Sequence, residues 1–247
     1  MNAEQTERYS RHIRLPQIGE DGQQKLLNGK VLIVGAGGLG SPVALYLVAA
    51  GVGTVGIMDG DAVDLSNLQR QILHGTPDLG VAKTDSARAS LERISPDSKI
   101  VTYNERLTAA NGASIVSEYD FVIDATDNFD SKFLVADLCA QAGKPYSHAG
   151  ILAFTGQAMT VIPGACACYR CIFEEVPAPQ ESDRFPAGPI GALPGVIGSI
   201  QATEALKYLM GIGELLTNRL LTYDSMNMKF REIPLARNPQ CRCASMN

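Results

Sequence analysis

The sequence predicts an α/β fold: a Rossmann-like doubly wound sheet, mostly parallel, extended by antiparallel strands in its C-terminal third. Three observations predict it. Over roughly the first 150 residues, short β-branched apolar runs alternate with helical patterns, as in a parallel sheet covered on both faces. The glycine cluster GAGGLG directly follows the first of those runs and opens a helical stretch. Beyond that region, residues 156–164 and 219–235 read as antiparallel strands.

Residues 30–35 (KVLIVG) form a short apolar run typical of a strand buried on both faces. A helix over 41–50, closed by Gly51, leads to a second strand over 54–59 that ends on Asp59. An amphipathic helix over 83–94 stops at Ser95-Pro96, because proline cannot continue it. A strand over 100–103, a helix over 111–117, and a buried strand over 120–126 (DFVIDAT) come next. A helix over 131–141 ends before Gly143, and residues 145–150 give one more strand. Residues 174–189 are rich in proline and acids, suit neither regular element, and read as a long mobile loop of the kind that forms lids. A helix over 196–210 carries Gly195, Gly198 and Ala202 at a spacing that permits close backbone packing, and a turn over 224–227 joins the last two strands.

The 247 residues, 45% hydrophobic and 19% charged, suit a globular chain with a sizeable core, built as one large domain or two small ones. A net charge of -5 argues against nucleic acid as a partner. The first fourteen residues carry no apolar run, so no secretory signal is read there. The glycine-rich run 189–200 is too short and too broken to span a membrane, which makes a cytoplasmic location the expectation. Of the six cysteines, Cys139 reads as a small buried hydrophobe, whereas the other five crowd into CACYRC and CRC. Such clusters point to metal more than to disulfides, with ordinary thiols as the alternative.

Gly35, Gly37 and Gly40 fit G-x-G-x-x-G between a strand and a helix, where backbone N–H groups can approach phosphate. Asp59 stands where ribose hydroxyls would be bound; the alternative is a glycine-rich turn with an acid facing water. An NAD enzyme needs no polar cluster such as DLSNLQRQ, which sets Asn67, Gln69 and Arg70 beside the nucleotide. Lys83 follows at a helix start, and Asp127 and Asn128 lie past the C-terminal end of a parallel strand, the edge where ligands bind. Arginine and lysine with an acid suit a triphosphate and Mg²⁺. Arg11 and Lys83 could each be solvated helix charges, and Asp127 could cap the following helix. His12, His74 and His148 form no evident catalytic group, and His148 reads as a hydrogen-bonded structural residue.

The stretches RYSRHI, VLIVGAGGLGSP, AGVGTVGIMDGDAVDLSNLQRQILH, DATDN, CYRC, GVIGSIQATEALK and FREIPLARNPQC cover nearly the whole chain. Together they resemble the ThiF/MoeB/HesA group of sulfur-carrier adenylyltransferases, bacterial relatives of the ubiquitin-activating enzymes. The resemblance implies a homodimer that binds MgATP and adenylates the C-terminal Gly-Gly of a ubiquitin-like sulfur carrier, MoaD-like or ThiS-like. It implies a single adenylation domain over 1–247, with a nucleotide-binding part over about 28–150 and a carrier-binding and zinc part over about 151–247. It brings Gly38 to the phosphates, Asp59 to the ribose, and Asn67, Arg70 and Lys83 to the nucleotide. Asp127 becomes the magnesium ligand, and Arg11 reaches the triphosphate from the partner subunit.

The same resemblance implies a zinc site of Cys168, Cys171, Cys241 and Cys243, although CRC is one residue shorter than the family's second CxxC, leaving Cys166 as a spare ligand. Arg184 stands where several members carry a sulfur-handling cysteine, and no rhodanese-like segment is read, so sulfur is expected from a separate persulfide donor. The competing readings are an NAD-dependent oxidoreductase and a non-catalytic binder of a ubiquitin-like protein.

Overall fold

The computed structural model describes residues 1–177 and 188–241. An eight-stranded sheet runs in the order β3-β2-β1-β4-β5-β6-β7-β8. Its parallel part comprises β1 (Lys30–Val34), β2 (Thr54–Met58), β3 (Lys99–Tyr103), β4 (Phe121–Asp124) and β5 (Tyr146–Leu152). The antiparallel extension is β6 (Thr155–Val161), β7 (Arg219–Asp224) and β8 (Lys229–Pro234). The last strand is the sheet edge, and all six of its residues are exposed.

Side chains of β1 alternate between two cores, as the strand period requires. Val31 and Ile33 enter a cluster with Val43, Leu47, Leu91 and Ile197, from α4 (Gly40–Ala49), α5 (Lys83–Glu92) and α9 (Leu193–Met210). Leu32 and Val34 enter another with Val116, Phe133, Leu138 and Tyr169, from α6 (Ala109–Ser117), α7 (Phe129–Ala142) and α8 (Tyr169–Ile172). Helices therefore cover both faces, which explains why the parallel strands read as unbroken apolar runs. Three helices precede the sheet: α1 (Ala3–Arg8), α2 (Ser10–Ile13) and α3 (Gly19–Asn28).

Element types agree with the sequence reading, and several boundaries move. Strand β2 stops at Met58, so Asp59 stands just past its end, and α9 starts at Leu193 with Pro194 in its first turn. Proline is tolerated there because a first-turn N–H has no intrahelical partner. Of the small residues expected on the packing face of α9, Ala202 is buried, and a Cβ on Gly198 would lie 2.7 Å from the carbonyl of Leu39 and 2.6 Å from Pro42. Gly195 differs, since a Cβ there would meet nothing within 4 Å. The proline-rich loop falls mostly on residues 178–187, outside the described residues. Among the described residues, no helix is long and apolar enough to cross a membrane.

The contact between α4 and α9 sets up a paired test. Gly198→Val is expected to lower unfolding free energy by about 1–3 kcal/mol, since the methyl groups must displace backbone. Gly195→Ala is expected to be neutral or to stabilise by up to about 1 kcal/mol, by restricting the unfolded chain. Urea unfolding midpoints of both variants check the difference.

Candidate functional site: a glycine loop facing a buried charge network

Strands β1 and β4 are neighbours, yet the chain leaves them in opposite directions across the sheet, so a crevice opens at their C-terminal ends. Gly35 ends β1 with φ +104, and a Cβ on it would come within 2.6 Å of the Ala125 carbonyl. A Cβ on Gly40 would sit 1.9 Å from the Gly35 carbonyl. Only glycine fits either position, and the two close approaches fold the loop onto the start of α4. No side chain caps that helix. The N–H groups of Gly37, Gly38 and Leu39 make no hydrogen bond within the described residues. Uncommitted donors at a helix N-terminus suit an anion.

The loop's first turn is held from both sides. Asp59 accepts from the Ala36 N–H at 2.8 Å and, through its other oxygen, from the Asp61 N–H at 2.9 Å. His74 lies 2.9 Å from the Ala36 carbonyl through Nε2 and 2.8 Å from the Ser86 hydroxyl through Nδ1. The carbonyl can only accept, so Nε2 carries the proton; burial holds the His74 pKa below its ordinary value and keeps the ring neutral.

Lys83 is buried, with Nζ 3.4 Å from Asp61 and 4.0 Å from Asp59. Arg106 pairs with the other oxygen of Asp61 at 2.9 Å. Burial alone would raise the Asp61 pKa, but Arg106 and Lys83 pull it below the usual carboxylate range. Arg70 is half-buried and donates to the Ser66 carbonyl at 3.1 Å, and its stem lies 3.5 Å from where a Gly38 Cβ would be. Asn67 is half-buried beside Ser66, while Gln69 packs against Gly191, whose Cβ would come within 2.3 Å of the Gln69 carbonyl.

Across the crevice, Asp127 is exposed and, among the described residues, its carboxylate contacts only the Asn128 amide, at 3.3 Å. The cap of α7 is Asn128, which accepts from the Ser131 N–H at 2.9 Å, and not Asp127. Behind them lies a buried ionic network. Asp124 accepts from Thr126 Oγ1 at 2.6 Å and from His148 Nδ1 at 2.7 Å, with Lys132 Nζ 3.5 Å away. Burial would raise its carboxyl, but the Lys132 ammonium and the hydrogen bonds from His148 and Thr126 hold it at about 2. Burial lowers the His148 pKa, so the ring is a neutral donor, as its structural reading from sequence implied.

Cys168, Cys171 and Cys241 converge, with Cys168 Sγ 3.7 Å from Cys171 Sγ and 3.6 Å from Cys241 Sγ. Together these thiols could hold a metal. Cys166 turns away and accepts from the Ile162 N–H at 3.1 Å, so the spare-ligand role is not supported among the described residues. Cys139 is fully buried, as expected, while Cys243 and Arg184 lie outside the described residues.

Residues 9–243 match the ThiF family. The chain belongs to the ThiF family. It is 44% identical over 242 residues to the SAMP-activating enzyme E1 of Haloferax volcanii, covering 98% of this chain and 89% of that protein. It is 43% identical to the sulfur carrier protein adenylyltransferase of Thermus thermophilus, covering 96% and 90%. A crystal structure of E. coli MccB with ATP superposes with a TM-score of 0.85 at 25% identity, covering 98% of this chain and 76% of that one.

Within this ThiF-family fold, the glycine loop, Asp59, Asn67, Arg70, Lys83 and Asp127 border one crevice, and Arg11 does not. Helix α2 packs at the opposite end of α4: His12 pairs with Gln23 at 3.1 Å, and Gln23 donates to the Ala50 carbonyl at 2.9 Å. Ten residues of helix, roughly 15 Å, separate that end from the loop. Asp61, Gln71, His74, Arg106 and Lys132 were missed from sequence. Asp61 was legible as the second acid of DGD; nothing in the spacing of DLSNLQRQ sets Gln71 apart from Gln69, although the Gln71 Oε1 is buried with no partner among the described residues.

The depressed Asp124 pKa fixes a pH dependence. The native value of about 2 lies below the ordinary 3.8, so its contribution is fully present above the unfolded value and is lost as pH falls through about 2. That difference corresponds to about 2 kcal/mol. Urea unfolding between about pH 5 and pH 2 is expected to lose this slope in Asp124→Asn, which also leaves Lys132 without its carboxylate and lowers stability at neutral pH.

Proposed function

We propose that this chain is an ATP-dependent adenylyltransferase acting on the C-terminal Gly-Gly carboxylate of a ubiquitin-like sulfur carrier. One observation carries the reading: free N–H groups of Gly37, Gly38 and Leu39 face a crevice that also holds Lys83, Arg70 and Asp127. The names of the 43–44% identical relatives, an E1 enzyme and a sulfur carrier protein adenylyltransferase, support the carrier as substrate.

A carboxylate is already nucleophilic near neutral pH, so no general base is needed. A carrier carboxylate oxygen attacks the α-phosphorus of ATP, the bond to the bridging oxygen breaks, and pyrophosphate departs with the electron pair. The chain's work is positioning and charge neutralisation. The glycine-loop N–H groups and Arg70 cradle phosphate, Asp59 takes the ribose hydroxyls, and Lys83 exchanges Asp61 for a phosphate oxygen. Asn67, Gln69 and Asn128 line the nucleotide's surroundings. Asp127, uncommitted to the helix cap, would hold Mg²⁺, which supplies countercharge to the phosphates. Arg11, too far from its own loop, would serve the site of a second copy in a homodimer. The terminal sulfur of a separate persulfide donor then displaces AMP from the adenylate to give an acyl disulfide, and a thiol cleaves its S–S bond to release the thiocarboxylate, in molybdopterin or thiamin synthesis. The buried Lys83 ammonium, paired with the exposed Asp61 and Arg106, favours this reading over an NAD enzyme, which has no use for these charges.

Sulfurs about 2.3 Å from a tetrahedral zinc lie roughly 3.8 Å apart, close to the spacing of Cys168, Cys171 and Cys241. These three would hold zinc with Cys243 as fourth ligand, tying the C-terminal segment to the body of one continuous domain.

Carrier-dependent ATP–pyrophosphate exchange is expected to fall by at least about 100-fold in folded Asp127→Ala, the scale set by loss of a charge-stabilising group. Wild-type exchange in that variant would refute the assignment. Arg11→Ala is expected to fail likewise, and mixed Arg11→Ala/Asp127→Ala dimers are expected to recover up to half of the sites.

Metal analysis provides a separate test of the thiols. About one zinc per chain is expected in protein purified without chelator, lost with a fall in melting temperature in Cys171→Ser, because a structural site contributes its binding energy to folding. Cys166→Ser is expected to keep the metal.

A further inference from the structure

We infer that Lys132 is a positioning residue for Asp127, gripping the peptide unit that carries the carboxylate; the role rests on the magnesium assignment proposed above. Among the described residues the Asp127 carboxylate has only the Asn128 amide beside it, so the backbone at its root is the part of it that the fold fixes. That backbone is held from behind. The Lys132 ammonium donates to the Thr126 carbonyl at 2.7 Å, and this oxygen belongs to the same planar unit as the Asp127 nitrogen and Cα. Fixing the oxygen therefore fixes the root of the Asp127 side chain.

The other two contacts of the ammonium anchor the grip. It donates to the Ala149 carbonyl on β5 at 2.6 Å and lies 3.5 Å from Asp124. Asp124 in turn accepts from the N–H and hydroxyl of Thr126 at 3.1 and 2.6 Å, closing the turn from its other side. Lys132 is only 7% exposed. A buried ammonium is costly unless every donor is spent, and here all three face acceptors, two of them backbone oxygens. An apolar residue on this face of α7 would pack without that cost, but it could not hold the exit of β4 against β5.

The test uses ATP binding by calorimetry, with magnesium and with EDTA. Removing Lys132 alone leaves the Asp124 carboxylate buried beside a neutral histidine and can prevent folding, so the decisive protein is Lys132→Met/Asp124→Asn, which removes both charges. Val116→Ala, in the same core but remote from the crevice, serves as a destabilised control. In the double variant, ATP affinity in EDTA is expected within about twofold of wild type. The gain on adding magnesium is expected to shrink about tenfold, the scale for losing a group that orients a metal ligand. Val116→Ala is expected to keep the full gain.

A folded double variant with the wild-type gain overturns the role of Lys132, as does an equal loss in Val116→Ala, which would make the effect one of stability alone. If Asp127→Ala itself keeps the gain, the magnesium assignment fails and the positioning role falls with it. Comparing Asp127→Ala with the double variant thus distinguishes the two failures.

Discussion

The whole arrangement depends on one crossing: the backbone at the end of β1 passes so close to the backbone leaving β4 that Gly35 has no room for a side chain beside Ala125. This contact joins the glycine loop to the turn bearing Asp127. With the two exits in contact, a group bound to the N–H donors of α4 lies within reach of the opposite carboxylate. Separating them would leave a helix N-terminus and an acid without a shared ligand. The second approach, Gly40 against the Gly35 carbonyl, directs α4 back along the sheet and aims its uncapped end into the crevice.

Around this crossing, the charges work in two tiers. Asp59, Asp61 and Lys83 border the crevice, and Asp61 is half-exposed, so under the proposed function these groups would change partners. Asp124, Lys132 and His148 lie behind it, buried and mutually satisfied except at His148 Nε2. Breaking a buried pair costs more than an exposed one returns, so the rear tier is a rigid support and the front tier an adjustable one. Gln201 of α9 joins the support by donating to the carbonyls of Asp124 and Ser147, both at 3.0 Å. The same helix that buries Gly198 against α4 thereby braces the end of β4.

What could be read in the sequence was what repeats or what only one residue can do. β1, the glycine loop and α4 were legible because an apolar run, two obligatory glycines and a helical period coincide there. The short helices α1 and α2 were not read from pattern, since neither buries a residue as an apolar stripe. Asp127 and Asn128 were both recognised, but which one caps α7 depends on backbone angles that composition does not encode. Lys132 was invisible for a similar reason. On a helical wheel it is one more lysine, and only the fold shows that its ammonium turns inward to two strand ends.

The pairing of Lys83 with Asp61 bears on which anions the crevice would favour. A lone buried ammonium would act as a trap for any small anion in the surroundings. Here the carboxylate already occupies it, and Arg106 holds that carboxylate from the solvent side. Under the proposed function, an incoming phosphate chain would enter by ion exchange, displacing an internal counterion instead of filling a vacant charge. Small ions that offer one contact would compete poorly against a tethered partner. A polyphosphate touching the loop donors and Lys83 together would displace it, which would favour long anions before any base or sugar is recognised.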